Sequence, residues 1–133
     1  MILRMGFRDK VLASCDRLRE WRRGLRASGA KLVVTNGCFD LLHLGHVTYL
    51  ETARGQGDVL LVGVNGDDSV RKLKGPGRPV NTEGDRAAVL AGLESVTAVF
   101  VFREPEATEF LRMAEPDVYV KGGDYTLDTL NQD

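Results

Sequence analysis

The chain has 133 residues, 43% of them hydrophobic and 28% charged, and carries a net charge of −1. That length suits one domain and is short for two separate cores, and the composition is that of a globular protein, not of a disordered chain. No apolar run approaches the roughly 20 residues of a membrane-spanning helix, and Arg4, Arg8, Asp9 and Lys10 interrupt anything like the apolar region of an export signal.

Cytoplasmic residence with no membrane partner is therefore the expectation. Charge is unevenly spread. Residues 1–31 hold nine Lys or Arg against three Asp or Glu, a balance of +6, and the rest of the chain balances at −7. A mildly acidic body argues against broad nucleic-acid binding, which needs a positive surface to displace counterions. Cys15 and Cys38 make no disulfide framework and read as reduced thiols.

Taken in order, residues 9–28 carry Val11, Leu12, Cys15, Leu18, Trp21 and Leu25 at helical spacing, with Asp9 placed to cap the start and Gly29 placed to end it. Residues 1–30 are thus expected to be an amphipathic helical extension ahead of a domain spanning 31–133. Asp16 and Glu20 break its basic face and Gly24 weakens it, which favours a helix packed on a sheet or a partner subunit over a membrane-surface or nucleic-acid helix. Residues 31–35 form a β-branched run that reads as a buried strand, followed by Asn36-Gly37-Cys38-Phe39-Asp40 and a helix from about Leu44. A second strand over 58–64 ends in Asn65-Gly66-Asp67-Asp68-Ser69, and the glycines and prolines of 72–79 predict a loop. A helix over 82–93 capped by Thr82, a strand over 96–102, a short helix over 106–113 and a strand over 118–120 complete the chain.

Alternating strands and helices predict an α/β fold with a doubly wound parallel sheet, Rossmann-like in plan. Ligands of such sheets bind beyond the carboxyl ends of the strands. Residues 35–40, 65–69, 102–103 and 121–124 fall on that edge.

The strongest chemical feature is His43-Leu44-Gly45-His46, directly after the first strand. Two histidines three apart at a helix start share a face, and the helix N-terminus adds unpaired N–H groups and a positive dipole end. Gly45 removes a side chain between them, so a phosphate can approach the backbone. The pattern suits phosphoryl or nucleotidyl transfer, where catalysis is mostly positioning and stabilisation of charge on phosphate oxygens. Cys38, His43 and His46 are also a conceivable zinc set, but no fourth ligand stands at a recognisable spacing, and no metal-ligating residue is assigned.

The string Thr35-Asn36-Gly37-Cys38-Phe39-Asp40-Leu41-Leu42-His43-Leu44-Gly45-His46 resembles the first motif of the cytidylyltransferase-like nucleotidylyltransferase superfamily. Val64-Asn65-Gly66-Asp67-Asp68-Ser69, Lys72-Leu73-Lys74-Gly75, Arg78-Pro79-Val80-Asn81 and Pro116-Asp117-Val118-Tyr119-Val120-Lys121-Gly122-Gly123-Asp124-Tyr125 narrow the resemblance to the branch of adenylyltransferase domains that make ADP-heptose. The match runs in order over about residues 31–126.

The resemblance implies that His43 and His46 contact the triphosphate and stabilise the α-phosphate. Asn36, Gly37, Cys38 and Phe39 would form the nucleotide-facing turn, with Gly45, Asn65 and Asp67 in the same set. Asp40 has two readings, near the reaction centre or capping the turn. Lys74 is the chosen positive contact to phosphate; Arg71, Lys72 and Arg78 could share that task. Arg86, in the opening turns of a helix where a cation is disfavoured, points to a ligand or an acidic partner. Lys121, Gly122, Gly123 and Asp124 would approach the nucleotide, although a plain turn explains them equally.

The resemblance further implies ATP and a sugar 1-phosphate as partners, Mg²⁺ accompanying ATP, and a homodimer. Relatives usually continue into a Ser/Thr-rich segment and a closing helix, so the C-terminal end of the domain is expected to be missing at Asp133. Two rivals stay open. One is a cytidylyltransferase acting on glycerol 3-phosphate or a similar phosphate. The other is a nucleotide-binding module without catalysis. The absence of Gly-x-Gly-x-x-Gly and of Gly-x-x-x-x-Gly-Lys-Ser/Thr disfavours NAD enzymes and P-loop ATPases.

Overall fold

A computed structural model describes residues 6–121. Four strands, β1 (Leu32–Gly37), β2 (Val59–Asn65), β3 (Ala98–Phe102) and β4 (Val118–Tyr119), form a sheet in the order β3-β2-β1-β4. Every pairing is parallel, with Val33 opposite Leu60 and Val118, and Leu61 opposite Ala98. The helices are α1 (Cys15–Ser28), α2 (Leu44–Arg54), α3 (Asp67–Lys74), α4 (Glu83–Ala91) and α5 (Thr108–Ala114), preceded by a 3₁₀ turn at Phe7–Lys10.

Two apolar layers cover the sheet because successive side chains of a strand point to opposite faces. Val33, Leu60, Val62, Val64 and Val99 face Leu50 and Ala53 of α2 and Ala87, Leu90 and Ala91 of α4. Leu32, Val34, Leu61, Ala98, Phe100 and Phe102 face Leu18 of α1 and Phe110 and Ala114 of α5. Phe110 stacks on Phe100 and Phe102 with centroids 5.9 and 5.4 Å away, and it fills the space left over Gly63. Arg22 of α1 is buried and donates from Nε to the Ala114 carbonyl at 2.8 Å and from Nη2 to the Glu115 carbonyl at 2.8 Å, so α1 closes the end of α5. This is the doubly wound α/β plan that the alternating pattern predicts.

Four local expectations are corrected. Asp9 does not cap a helix over 9–28. It belongs to the 3₁₀ turn, and the Ser14 hydroxyl caps α1 by accepting from the Arg17 N–H at 3.1 Å. Val11 and Leu12 instead lie along the edge of β3, where the Leu12 N–H donates to the Val99 carbonyl at 2.8 Å. An edge strand offers unpaired backbone groups, and satisfying them outweighs the helical spacing of two residues. The end of α1 is as expected, with Gly29 at φ 78°.

The loop expected over 72–79 begins only after Lys74, because α3 occupies 67–74. Asp67 and Asp68 in its first turn and Arg71, Lys72 and Lys74 in its last complement the helix dipole, a signal that eight residues of periodicity are too few to give. The strand expected to begin at 96 starts at Ala98.

Candidate functional site

The carboxyl ends of β1 and β2 open onto a cleft of about 560 Å³, a size suited to a nucleotide. β1 delivers Asn36 and Gly37 to it, the following turn delivers Cys38, Phe39 and Asp40, and β2 delivers Asn65. Phe39 sits at φ 48°, a left-handed conformation that turns the chain sharply off the strand. Gly37 is required by that turn, since a Cβ there would stand 2.9 Å from the Phe39 ring.

The turn leads straight into α2, and His43 is its N-cap. The His43 Nδ1 accepts from the Gly45 N–H at 3.0 Å, and the His43 N–H donates to Nδ1 of His46 at 3.3 Å, a capping box built from two imidazoles. The rings lie 4.0 Å apart, with Phe39 set edgewise to His46 at 5.7 Å. A Cβ at Gly45 would stand 2.8 Å from the His43 ring, so the glycine makes room for the imidazole beside the backbone as well as for any ligand.

The floor is held by two charged clamps. Asp40 is buried, and its carboxylate accepts from the Val80 N–H at 2.8 Å and the Asn81 N–H at 2.9 Å, with Arg78 at 3.2 Å. Burial pushes this carboxyl upward, but the N–H groups of Asn81 and Val80 and the charges of Arg78 and Arg86 outweigh it, holding its pKa below the ordinary value. Of the two readings of Asp40, these bonds match the structural one, extended from a local cap to a strap across the 78–81 loop.

Arg86 is the second clamp. Its side chain is 0% exposed and donates to the Asn81, Cys38 and Asn65 carbonyls at 3.0, 2.7 and 2.7 Å and to Asp67 at 2.8 Å. Of the two partners expected for Arg86, a ligand or an acidic residue, the structure supplies the acidic one, Asp67, and burial with four protein bonds makes Arg86 an anchor beneath the cleft.

The structure thus brings Asn36, Gly37, Cys38, Phe39, Asp40, His43, His46, Asn65, Lys74 and Arg78 together around one cleft. Gly45, Asp67, Arg86 and Lys121 are not among the residues that line it; Gly45 bonds to the cleft-lining His43, Asp67 to the buried Arg86, and the Lys121 carbonyl accepts from the Tyr49 hydroxyl at 2.9 Å. Gly122, Gly123 and Asp124 lie outside the described residues. Among the described residues, no group of three His, Cys, Asp or Glu side chains is arranged to hold a metal, the Cys38, His43 and His46 set included.

Sequence reading passed over Leu41, Leu73, Pro105 and Ala107, which also line the cleft. It also missed Asn81 and Glu83, which tie loops beneath it. Asn81 closes the Arg78-Pro79-Val80-Asn81 motif, which is its one signal in the sequence. A larger groove of about 820 Å³ runs between the 3₁₀ turn and α1 beside Thr97 and Ala98, at the start of β3 and away from these groups.

The family model described as Cytidylyltransferase-like matches residues 34–133. The bifunctional protein HldE of Ectopseudomonas mendocina is 53% identical over 120 residues, covering 90% of this chain and 25% of that protein. HldE of Azotobacter vinelandii is 61% identical over 102 residues, covering 77% and 22%. The chain therefore spans about a quarter of the length of these curated relatives. Among solved structures, the lipopolysaccharide core biosynthesis protein from Thermoplasma volcanium matches with a TM-score of 0.67 and 30% identity, over 77% of this chain and 83% of that one. With its first-motif histidines capping α2 beside the cleft and most of its length matched, the chain belongs to the cytidylyltransferase-like family of nucleotidyltransferases.

Proposed function

We propose that the protein is an adenylyltransferase that joins ATP to D-glycero-β-D-manno-heptose 1-phosphate, giving ADP-heptose and pyrophosphate. The observation that carries this reading is the imidazole pair at the mouth of a nucleotide-sized cleft in a chain more than half identical to HldE proteins. A phosphate oxygen of the sugar phosphate attacks the α-phosphorus of ATP. A new P–O bond forms, the bond from that phosphorus to the α,β-bridging oxygen breaks, and pyrophosphate departs with the electron pair.

In this chemistry His43 and His46 donate hydrogen bonds from Nε2 to phosphate oxygens as charge accumulates on them, and the N-terminus of α2 adds its dipole. Lys74 neutralises phosphate charge. Asp40 and Arg86 keep the two turns in place. Mg²⁺ would ride on the triphosphate, neutralising its charge, and be held mainly by phosphate oxygens and water. That arrangement fits a cleft whose nearest carboxylate, Asp40, already accepts bonds from the backbone.

Cytoplasmic residence is part of this reading. No helix of the described residues is long and apolar enough to cross a membrane. Pairing into a homodimer is part of the same reading, with the half-buried Trp21 of α1 offered as a contact.

The test is pyrophosphate release measured with ATP and CTP against heptose 1-phosphate and glycerol 3-phosphate. Turnover is expected with ATP and the heptose alone. Turnover only with CTP and glycerol 3-phosphate would overturn the substrate assignment, and ATP binding without turnover in any combination would leave a nucleotide-binding module.

A further inference from the structure

The Tyr49 side chain is buried among apolar residues of α2 and the sheet, yet it carries a hydroxyl that packing alone does not need. Burying a hydroxyl is costly unless it is bonded, and this one is bonded on both sides. It lies 2.6 Å from the Thr35 hydroxyl and donates to the Lys121 carbonyl at 2.9 Å, with the Val120 carbonyl farther off at 3.4 Å. One proton serves one good bond, so Tyr49 donates to Lys121 and Thr35 donates to Tyr49.

Three elements meet at this oxygen: the interior of β1, the helix that opens with the imidazole pair, and the exit of β4. β4 needs such a tether. Among the described residues it pairs with β1 through Val118 and Tyr119, and the Val120 N–H donates to the Val34 carbonyl at 2.9 Å. A second side chain links β4 to the cleft, since the Tyr119 hydroxyl donates to Oδ1 of the cleft-lining Asn36.

We propose that Tyr49 is a positioning residue for nucleotide binding: its hydroxyl, braced by Thr35, fixes the exit of β4 at Lys121 relative to the His43–His46 pair. This rests on the nucleotidyl-transfer reading for its ligand, a nucleoside triphosphate. A short strand end free to shift would still fold, but through Tyr119 it would no longer hold the cleft-lining Asn36 in one position for that ligand.

The experiment measures ATP binding with Mg²⁺ by calorimetry on the 133-residue chain, alongside KM for each substrate. Tyr49→Phe should weaken ATP binding about fivefold to tenfold, the worth of one net hydrogen bond, and raise KM for ATP while leaving KM for the sugar phosphate within about twofold. A merely structural loss would lower the folded fraction and move neither KM. Thr35→Val should weaken ATP binding in the same direction and add little when combined with Tyr49→Phe, whereas Thr35→Ser, which keeps the hydroxyl, should restore affinity. Unchanged ATP affinity in Tyr49→Phe would overturn the proposal. Should the parent chain release no pyrophosphate yet bind ATP more weakly as Tyr49→Phe, the catalytic reading fails and this one stands. No ATP binding by the parent chain would overturn both.

Discussion

The backbone N–H of His43 reaches Nδ1 of His46 at 3.3 Å, while Nδ1 of His43 accepts from Gly45 at 3.0 Å. Both Nδ1 atoms are therefore acceptors, and a neutral ring of either residue carries its proton on Nε2. The helix cap thus sets the tautomer that the proposed phosphate contacts require, so in that proposal one piece of local structure serves both tasks.

That coupling separates two substitutions at His43. Asn places an oxygen near the position of Nδ1 and is itself a good cap, so His43→Asn should keep its melting temperature while nucleotidyl transfer falls by about 10² or more, the usual cost of losing one donor to developing charge. Gln places its amide nitrogen near Nε2 but caps poorly. His43→Gln should keep more activity and lose about 1 kcal/mol of stability. Pyrophosphate release and thermal unfolding on both variants check this, and equal activity in the two would show that the Nε2 donor does not matter.

Asp40 makes a pH prediction with a definite sign. Its carboxyl titrates below the ordinary value in the folded protein, so its stabilisation is fully present above the unfolded pKa of about 4 and is lost as pH falls through the folded value. Asp40→Asn should be less stable by about 2 kcal/mol at neutral pH, the scale of a charged hydrogen bond. The gap to the parent should close as pH drops beneath about 4, measured by urea unfolding across a pH series. A gap constant from pH 7 to pH 3 would contradict the assignment.

Arg86 ties three carbonyls and Asp67 to one guanidinium with no exposed surface. Arg86→Met keeps the stem and leaves Asp67 and those carbonyls without their donor. A loss of about 3 kcal/mol is expected, as for other broken buried pairs. Because Cys38 and Asn65 sit at the ends of β1 and β2, ATP affinity should fall even at temperatures where the variant is folded. Denaturant midpoints paired with ATP titrations read both effects.

How much of this was legible in the chain depends on which force decided each element. The sheet and its helices followed from apolar runs rich in Val and Leu such as 59–65 and from Thr82 and Gly29 at helix ends, all local signals. The imidazole pair was legible because its spacing and the glycine between are chemistry in themselves. Arg86 and Asp40 were not, since their partners Cys38, Asn65, Val80 and Asn81 lie about 20 to 50 positions away or in loops with no periodicity, and only the fold brings them together. Val11 and Leu12 misled for the same reason: the backbone of β3 that claims them is distant in sequence.

Gly63 tests the second core layer. It occupies a β2 position facing α5, and a Cβ there would stand 2.7 Å from Cζ and 2.9 Å from Cδ2 of Phe110. Phe110 is locked between Phe100 and Phe102 and cannot retreat. Gly63→Ala should therefore destabilise by about 1–3 kcal/mol, the cost of overpacking, although alanine is ordinarily the better residue in a strand. Adding Phe110→Leu, which vacates the clashing ring atoms, should make the glycine substitution far less harmful. Equal effects in both backgrounds, read by urea unfolding, would mean the ring is not what excludes the methyl.

Lys74 closes α3 at the lip of the cleft in an exposed position, followed by Gly75 at φ 92°, and Arg78 pairs with the buried Asp40 at 3.2 Å. Because Arg78 braces a buried carboxylate and Lys74 stands at an exposed position, the two should respond differently to removal. Lys74→Ala should leave stability within about 0.5 kcal/mol, as for most exposed positions, while raising KM for ATP or the sugar phosphate about tenfold, the scale of a charge-assisted contact. Arg78→Ala should cost stability as well, by loosening the 78–81 loop over Asp40. Salt supplies the discriminating measurement, because an exposed lysine acting on phosphate is screened. Raising ionic strength should weaken the parent enzyme toward the Lys74→Ala value and change that variant less; parallel salt dependences would assign Lys74 to the solvated surface.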